Sequence, residues 1–573
     1  MSEKITWLIG GEAGEGIMAS GLVFAKALGR AGFGVFDFVE YPSLIRGGHN
    51  AFSLTFSEGE VFSINKRINV LVALNEETIQ KHAKEMVKNG IIIYDDDSVS
   101  LPEVLKKGEL NYIGVPFLRI LEKAGAKPLM KNTAALGASV ALFGLNLELL
   151  NQALEKEFED KGDEIIAINI KVANAGYDFM LKNFKSKLPW RVGMKIAKEE
   201  KMVLSGNDAI CLGAIKAGCQ FVASYPMTPA SSILHTMAAL QNRFNFVFKH
   251  TEDEIAAVNM AVGAFFAGCR SMVATSGGGF ALMVEGLSLA GMTESGIVIV
   301  EAQRPAPATG MPTWTEQGDL KFVLSAGHGE FPRIVLAPGD QEECFYETFR
   351  AFNLAEKYQT PALILSDKFL SESHKAINFF KTSQLKIDRG KYVRDAVPNK
   401  DGYLKRYEMT KDGVSRRLIP GSGGCFMADS YEHDEFGYTT EEAEARTKMV
   451  NKRNRKALSI KKEIPEPKLY GPGEAETTIV SWGSTKCPIL AAHNMIKDQD
   501  KVNFLHYIYL EPFAEALIIE ARKKAKRLVV VENNSTAQFA QIVKMHTGIN
   551  FDEKILKYDG RPFYPEEIIE GLR

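Results

Sequence analysis

The stretch "ASYPMTPASSIL", Ala223 to Leu234, follows the apolar run "FVAS" and turns the chain on two prolines. Each proline fixes φ at about −65° and pushes the residue before it toward extended geometry, so Tyr225 to Pro229 continues neither a helix nor a regular strand. Helical spacing resumes at Ile233, Leu234, Met237 and Leu240, with Ser231 or Ser232 placed to cap it. Strand, rigid corner and helix in that order make the repeating unit of an α/β sheet. The corner also leaves Thr228 in a fixed loop at a helix N-terminus, a place that suits an anion, although an ordinary strand-to-helix turn uses the same residues.

Working outward, the same pattern recurs. After the corner come the helix "EDEIAAVNMAVGAFFAG", the strand "SMVATS", a glycine turn, another helix and the strand "GIVIVEAQ", which define an α/β unit over 206–378. Upstream, "ITWLIG", a glycine turn, "MASGLVFAKALGRAG", "FGVFDFVEYP", "NVLVALN", "GIIIYDD" and "LNYIGVP" predict a largely parallel sheet over 1–185. A polar linker over 186–205 separates the two. Residues 379–472, rich in charge and turn formers such as "DGVSRRLIPGSGG" and "EHDEFGYTTEE", predict a loop-rich connector, and "TTIVSWGS", "VNFLHYI" and "RLVVVENN" a third α/β unit over 473–573. The expected class is multidomain α/β.

Composition narrows the function. With 69 basic against 71 acidic residues among 573, no global field calls for nucleic acid or an anionic membrane. The start "MSEKITWLIGGEAGEG" lacks a signal-peptide layout, and no apolar run reaches the roughly 18 residues of a membrane span, so a soluble cytoplasmic protein is expected. The six cysteines form no CxxC pair and no ferredoxin-like cluster, and no metal site is expected on this chain.

Three glycine loops and two charged positions are the candidate chemistry. Gly14, Gly16 and Ala19 satisfy G-x-G-x-x-G/A after a strand, with Asp37 at a suitable distance, which allows an NAD or flavin site; Glu12 and Glu15 put carboxylates where phosphates would sit. Arg46 beside Gly47 and Gly48 could bind phosphate. Ser276 to Gly279 open a helix with three glycines that let a flat ligand or another backbone approach. Glu254 shares a helical face with Val258, Ala261 and Phe265, and a carboxylate among apolar groups must find a partner, such as a ligand nitrogen with which it shares a proton. Arg304 follows "GIVIVEAQ" where a parallel strand delivers its ligand-side end, and its guanidinium could hold a carboxylate bidentately. Plain structural roles, a dipole-matched acid at a helix start and a solvated arginine, fit these residues as well.

Taken together, the segments resemble the 2-oxoacid:ferredoxin oxidoreductases, in particular a 2-oxoglutarate-type α subunit with the γ domain fused at its N-terminus. "YPMTP" resembles the family's Y-P-I-T-P motif with Met227 for isoleucine; "EDEIAAVNMAVGAFFAG" with "ATSGGGFALM" resembles the pyrimidine-side thiamine diphosphate domain. "QRPAPATGMPT" resembles its substrate loop, "GEAGEGI" and "RGGHN" the γ domain, and "DGVSRRLIPG" with "EHDEFG" the connector. The resemblance implies a γ-type domain, a pyrimidine-side domain and a transketolase C-terminal-like domain. It implies that Glu254 hydrogen-bonds the aminopyrimidine of thiamine diphosphate, with Tyr225, Pro226, Ser276 and Gly277 around the cofactor. Thr228, Arg304 and Thr309 would hold the 2-oxoacid, while Gly14, Gly16 and Arg46 would lie near coenzyme A. The implied reaction is a reversible, coenzyme A-dependent oxidative decarboxylation, 2-oxoglutarate to succinyl-CoA and CO2, with electrons passed to ferredoxin. No G-D-G motif occurs, so a β subunit would supply the diphosphate site, Mg2+ and a [4Fe-4S] centre in an αβ or (αβ)2 assembly. The competing readings are a flavin- or NAD-binding electron-transfer subunit and a non-catalytic assembly subunit.

Overall fold

The computed structural model describes residues 4–43, 47–101, 109–184 and 199–573. The chain forms two compact units, one of Met1–Leu204, Ser373–Phe380 and Tyr564–Glu570, the other of Ser205–Glu372, Lys381–Phe563 and Gly571–Arg573. In chain order the strands are β1 (Ile5–Glu12), β2 (Gly34–Glu40), β3 (His49–Ser57), β4 (Ile68–Ala73), β5 (Met86–Asp95), β6 (Asn111–Val115) and β7 (Met202–Ser205). Then follow β8 (Phe221–Ser224), β9 (Val247–His250), β10 (Ser271–Thr275), β11 (Val298–Gln303), β12 (Ile334–Leu336), β13 (Ala362–Asp367) and β14 (His374–Ile377). The last are β15 (Lys468–Tyr470), β16 (Thr477–Trp482), β17 (Val502–Tyr507), β18 (Tyr509–Glu511), β19 (Arg527–Glu532) and β20 (Glu553–Leu556).

The first unit is built on one sheet in the order β6-β5-β4-β1-β3-β2-β14-β7. Its β1, β4, β5 and β6 run parallel, but β3 is antiparallel to both β1 and β2, and β14 is antiparallel to β2. The expectation of a largely parallel sheet therefore holds for one half only. The difference lies in "HNAFSLTFS", not expected as a strand: only a short connection separates it from β2, and a short connection permits an antiparallel neighbour whereas a parallel one needs a long crossover. Its Phe52 and Phe56 are buried, the Phe56 ring meeting those of Phe24 and Phe143 at centroid distances of 6.3 and 5.2 Å. Rings of this kind contribute about 1.5–3 kcal/mol each when fully buried. Met202–Ser205, counted with the linker in the sequence, is the strand that closes the sheet.

The second unit carries a sheet in the order β18-β12-β13-β11-β10-β8-β9, parallel from β12 to β9, and a sheet in the order β15-β17-β16-β19-β20, parallel except for β15. Buried Gln317 ties the two together: its N–H donates to the Asn533 carbonyl at 2.7 Å and its Nε2 to that of Trp482 at 3.2 Å.

Residues 381–442 form no helix and only isolated bridges, and the helix Ala443–Lys461 follows. That helix is invisible to hydrophobic periodicity because its buried face is Met449, Lys452, Arg453, Lys456 and Ile460, mostly cations. They meet acids of the unit's own core. Lys452 and Lys456 both pair with Glu294, the latter at 2.6 Å, while Arg270, Arg389 and Arg417 converge on Glu356. Burial alone would push the Glu294 carboxyl up, but Lys452, Lys456 and Arg406 outweigh it and hold it below the ordinary carboxylate range.

Candidate functional site

Parallel strands deliver their loops to one edge, and the second unit's candidate residues gather there because β8, β10 and β11 are adjacent. Tyr225 to Pro229 leave β8, Ser276 and Gly277 leave β10, and Arg304 leaves β11. Arg304 Nη1 donates to the Thr228 carbonyl at 2.7 Å, so the proline corner and the arginine loop are one piece. The corner is secured from behind by Asn207, whose Nδ2 donates to the Pro229 carbonyl at 2.9 Å and to Ser232 Oγ at 2.8 Å. This corrects the expected cap: Ala230 occupies the N-cap of Ser231–Phe244 without a side-chain bond, and the Ser232 hydroxyl is engaged by Asn207 instead.

Glu254 opens the helix Glu254–Phe266, which is capped by Asp253 accepting from the Ala256 N–H at 2.7 Å. Since Asp253 does the capping, the Glu254 side chain is free to turn inward. Glu254 is 3% exposed, Val258, Ala261 and Phe265 on its face are buried, and its Oε1 has no hydrogen-bond partner among the described residues. Ser276 is fully buried and its Oγ is likewise unpartnered.

The glycine turn between them explains itself by contact. A Cβ on Gly279 would stand 2.5 Å from Glu254 Oε1, and one on Gly277 would stand 2.4 Å from Asp319 Oδ2. The Gly279 N–H donates to the Met227 sulfur at 3.2 Å, a bond that an isoleucine in the same motif could not accept. Two buried polar atoms without partners beside a turn stripped of side chains fit a flat heterocycle bearing ring nitrogens and an amino group.

Three acids of this edge escaped the sequence. Glu301 lies inside β11, fully buried; burial pushes its carboxyl well up, and Asp319 and Asp367 push it further. Burial also raises Asp319, with Glu301 and Arg304 pulling against it, and carries Glu316 up to about 7, helped by Asp319. The one available signal was a charged residue in the otherwise apolar "GIVIVEAQ". Burial lowers Arg304 while Asp319 supports its charge. Tyr225 and Thr309 are exposed, Thr309 in the 305–313 loop, and neither joins the Arg304–Thr228 contact.

In the first unit Gly14 and Gly16, both at positive φ, line a cavity of about 400 Å3 together with Leu136, Leu154, Lys127 and Lys161. Arg46 lies outside the described residues. The dinucleotide reading of this loop fails on two counts. Asp37, the acid it needs near a ribose, is fully buried in β2, separated from β1 by β3, and accepts from the His374 N–H at 2.7 Å. The carboxylate of Glu15 occupies the turn itself, accepting from the Glu12 N–H at 2.8 Å and pairing with Lys131 at 3.4 Å. No helix among the described residues is long and apolar enough to cross a membrane.

The family model described as "Pyruvate flavodoxin/ferredoxin oxidoreductase, thiamine diP-bdg" matches residues 212–452, and "Pyruvate ferredoxin/flavodoxin oxidoreductase" matches 6–179. The 2-oxoacid:ferredoxin oxidoreductase subunit alpha of Saccharolobus solfataricus is 34% identical over 631 residues, covering 100% of this chain and 97% of that protein. The 2-oxoglutarate synthase subunit KorA of Methanothermobacter thermautotrophicus is 33% identical over 65% of this chain and 98% of its own length. The structure of 2-oxoglutarate:ferredoxin oxidoreductase from Magnetococcus marinus, with 2-oxoglutarate, coenzyme A and succinyl-CoA bound, superposes with a TM-score of 0.92 at 31% identity, covering 100% of this chain and 99% of that one.

Proposed function

This chain belongs to the 2-oxoacid:ferredoxin oxidoreductases as an alpha subunit, and from that we propose that it catalyses, with a β subunit, the coenzyme A-dependent oxidative decarboxylation of 2-oxoglutarate to succinyl-CoA and CO2. The observation that carries the proposal is the pair of unpartnered atoms, Glu254 Oε1 and Ser276 Oγ, on the same sheet edge as the Arg304–Thr228 contact. 2-Oxoglutarate as substrate is supported by the KorA relative and by the ligands named for the Magnetococcus enzyme.

Glu254 would hold the aminopyrimidine of thiamine diphosphate, exchanging a proton with its ring nitrogen, with Tyr225, Pro226, Ser276 and Gly277 bounding the ring. When bound, thiamine diphosphate supplies the electron sink that the leaving carboxylate requires. Arg304, Thr228 and Thr309 would orient the 2-oxoacid by holding its carboxylate and keto oxygen. The apolar walls behind Glu254 exclude water, which strengthens every one of these contacts.

In this reading Gly14, Gly16 and Arg46 would lie near coenzyme A, and Lys127 and Lys161 at the cavity that Gly14 and Gly16 line would attract its phosphates. The domains of this reading are a γ-type domain over 1–185, a pyrimidine-side domain over 206–378, a connector over 379–472 and a transketolase C-terminal-like domain over 473–573, although Ser373–Phe380 and Tyr564–Glu570 pack with the first unit. The β subunit brings the diphosphate site, Mg2+ and a [4Fe-4S] centre, from which electrons leave to ferredoxin one at a time; αβ or (αβ)2 is the expected assembly, in the cytoplasm.

Co-purification with the β subunit followed by coenzyme A-dependent dye reduction across a panel of 2-oxoacids tests the proposal. The highest kcat/KM is expected with 2-oxoglutarate. A preference for pyruvate, branched-chain or aryl 2-oxoacids would refute the substrate, and no reduction with any of them would refute the activity.

A further inference from the structure

The loop that follows β11 carries Arg304 at its start and Thr309 near its tip, and residues 306–311 of it are exposed. Backbone contacts close it on itself: the Met311 N–H donates to the Pro305 carbonyl at 3.0 Å, and the Trp314 N–H to the Met311 carbonyl at 3.1 Å. Gly310, at a φ of 56°, permits that closure, since a Cβ there would overlap the Pro305 carbonyl oxygen. Arg304 ties the upstream limb to the Thr228 carbonyl. The downstream limb rests on another part of the unit, the turn after β20.

The Arg561 guanidinium lies over the Trp314 ring, its carbon 3.6 Å from the centroid and well inside the roughly 6 Å over which a cation is drawn to an indole face. Beside it the Thr315 N–H donates to the Gly560 carbonyl at 3.0 Å. Gly560 has a φ of 80°, and a Cβ on it would stand 3.2 Å from Met311 Cε and 3.3 Å from Trp314 Cβ, so its missing side chain lets the two segments close up. The turn is fixed by its own bonds. The Arg561 N–H donates to Asp559 Oδ1 at 2.9 Å, Arg561 Nη1 to the Asp559 carbonyl at 3.0 Å, and Lys557 pairs with Asp559 at 3.1 Å. Asn533 Nδ2 donates to the carbonyls of Lys557 and Arg561 at 2.8 and 3.3 Å, while the Asn533 carbonyl receives the Gln317 N–H. A guanidinium already bound to its own turn loses little further freedom by stacking.

We propose that Arg561 and Trp314 form a clamp through which the turn after β20 sets the shape of the 305–313 loop, and with it the affinity for the 2-oxoacid. Arg561 is a positioning residue that acts through the loop. An exposed loop ordered only when substrate arrives costs affinity, and one ordered beforehand does not. The inference rests on the 2-oxoacid reading of Arg304 and Thr309, but its first readout does not.

That readout is the fluorescence of Trp314 in the full chain, obtained by subtracting the spectrum of Trp314→Phe. Arg561→Ala is expected to shift this emission to the red and to increase its quenching by acrylamide, because the indole face that the guanidinium covered then meets water. Emission and quenching unchanged from the wild type overturn the clamp. In steady state with the αβ complex, Arg561→Ala and Trp314→Ala are each expected to raise the 2-oxoacid KM about fivefold with kcat within about twofold, and the double variant to be no worse than either, since all three remove one contact. Arg561→Lys, which keeps the charge but not the flat fork, is expected to recover part of the loss. An unchanged KM, a fall in kcat alone, or fully additive losses in the double variant overturn the positioning role. Should Arg561→Ala fail to fold, Arg561→Gln carries the same expectations. A wild-type complex that reduces no dye with any 2-oxoacid refutes the activity instead, and leaves the fluorescence result standing.

Discussion

Glu294 and Glu254 are both glutamates of the second unit, 1% and 3% exposed, and they are satisfied in opposite ways. Glu294 receives Lys452 and Lys456 from the helix Ala443–Lys461, a segment far along the chain. Among the described residues Glu254 receives nothing at Oε1, and Ser276 Oγ next to the same glycine turn is also left without a partner. A buried charge with two cations is a fastening. A buried carboxyl without a partner is a standing cost, and folded chains tolerate such costs where a ligand removes them. Burial alone therefore does not mark an acid as a candidate for ligand binding; what distinguishes the two is whether the described residues answer them.

The contrast is broken most directly at Glu294. Glu294→Ala leaves two lysines buried without an anion and is expected to cost about 3–5 kcal/mol, read as a fall in the urea midpoint. A loss within about 1 kcal/mol would show that the pair fastens nothing. The same pair has a pH signature. Lys452, Lys456 and Arg406 hold the folded-state carboxyl below its unfolded value of about 4.3, so its stabilisation is complete above that pH and is lost as pH falls toward the folded value. Wild type is expected to lose stability below about pH 4 more steeply than Glu294→Ala.

Glu254→Gln is expected to do the reverse, leaving the urea midpoint in place while turnover of the αβ complex falls by about 100-fold or more. A variant with normal turnover would remove Glu254 from the mechanism. Arg304→Ala comes next, expected to lower kcat/KM for the 2-oxoacid about tenfold through the loss of a charged anchor, and ordinary substrate kinetics would refute that role. The smallest effect belongs to the glycine loop of the first unit, where Glu15 satisfies the Glu12 amide from within the chain. Glu15→Ala is expected to cost about 0.5–1.5 kcal/mol by thermal or urea unfolding, and no change would mean that water replaces the carboxylate without loss.

Much of this site was legible because its signals are local. Prolines around Thr228, glycines after Ser276 and an acid at the start of an apolar helix each restrict the backbone within a few residues, and each stands where that restriction demands. Asp319 and Glu301 were not legible, since neither belongs to a motif and their meaning depends on strands and loops that meet only in the folded unit. The charged helix Ala443–Lys461 escaped for a related reason: its buried face is cationic, so the periodicity that betrays most packed helices is missing. β3 was not expected as a strand, so its antiparallel place between β1 and β2 was not legible either.

The sequence by itself determined the α/β class, the family and the residues that line up at the second unit's sheet edge, because turn chemistry, helix starts and strand runs are properties of neighbouring residues. Only the tertiary structure decided which buried charges are answered and which wait, because Glu294 and its lysines lie more than 150 positions apart while Glu254 Oε1 and Ser276 Oγ meet no partner among the described residues. Pairing is decided by distance in space, and distance in space is what a linear sequence does not carry.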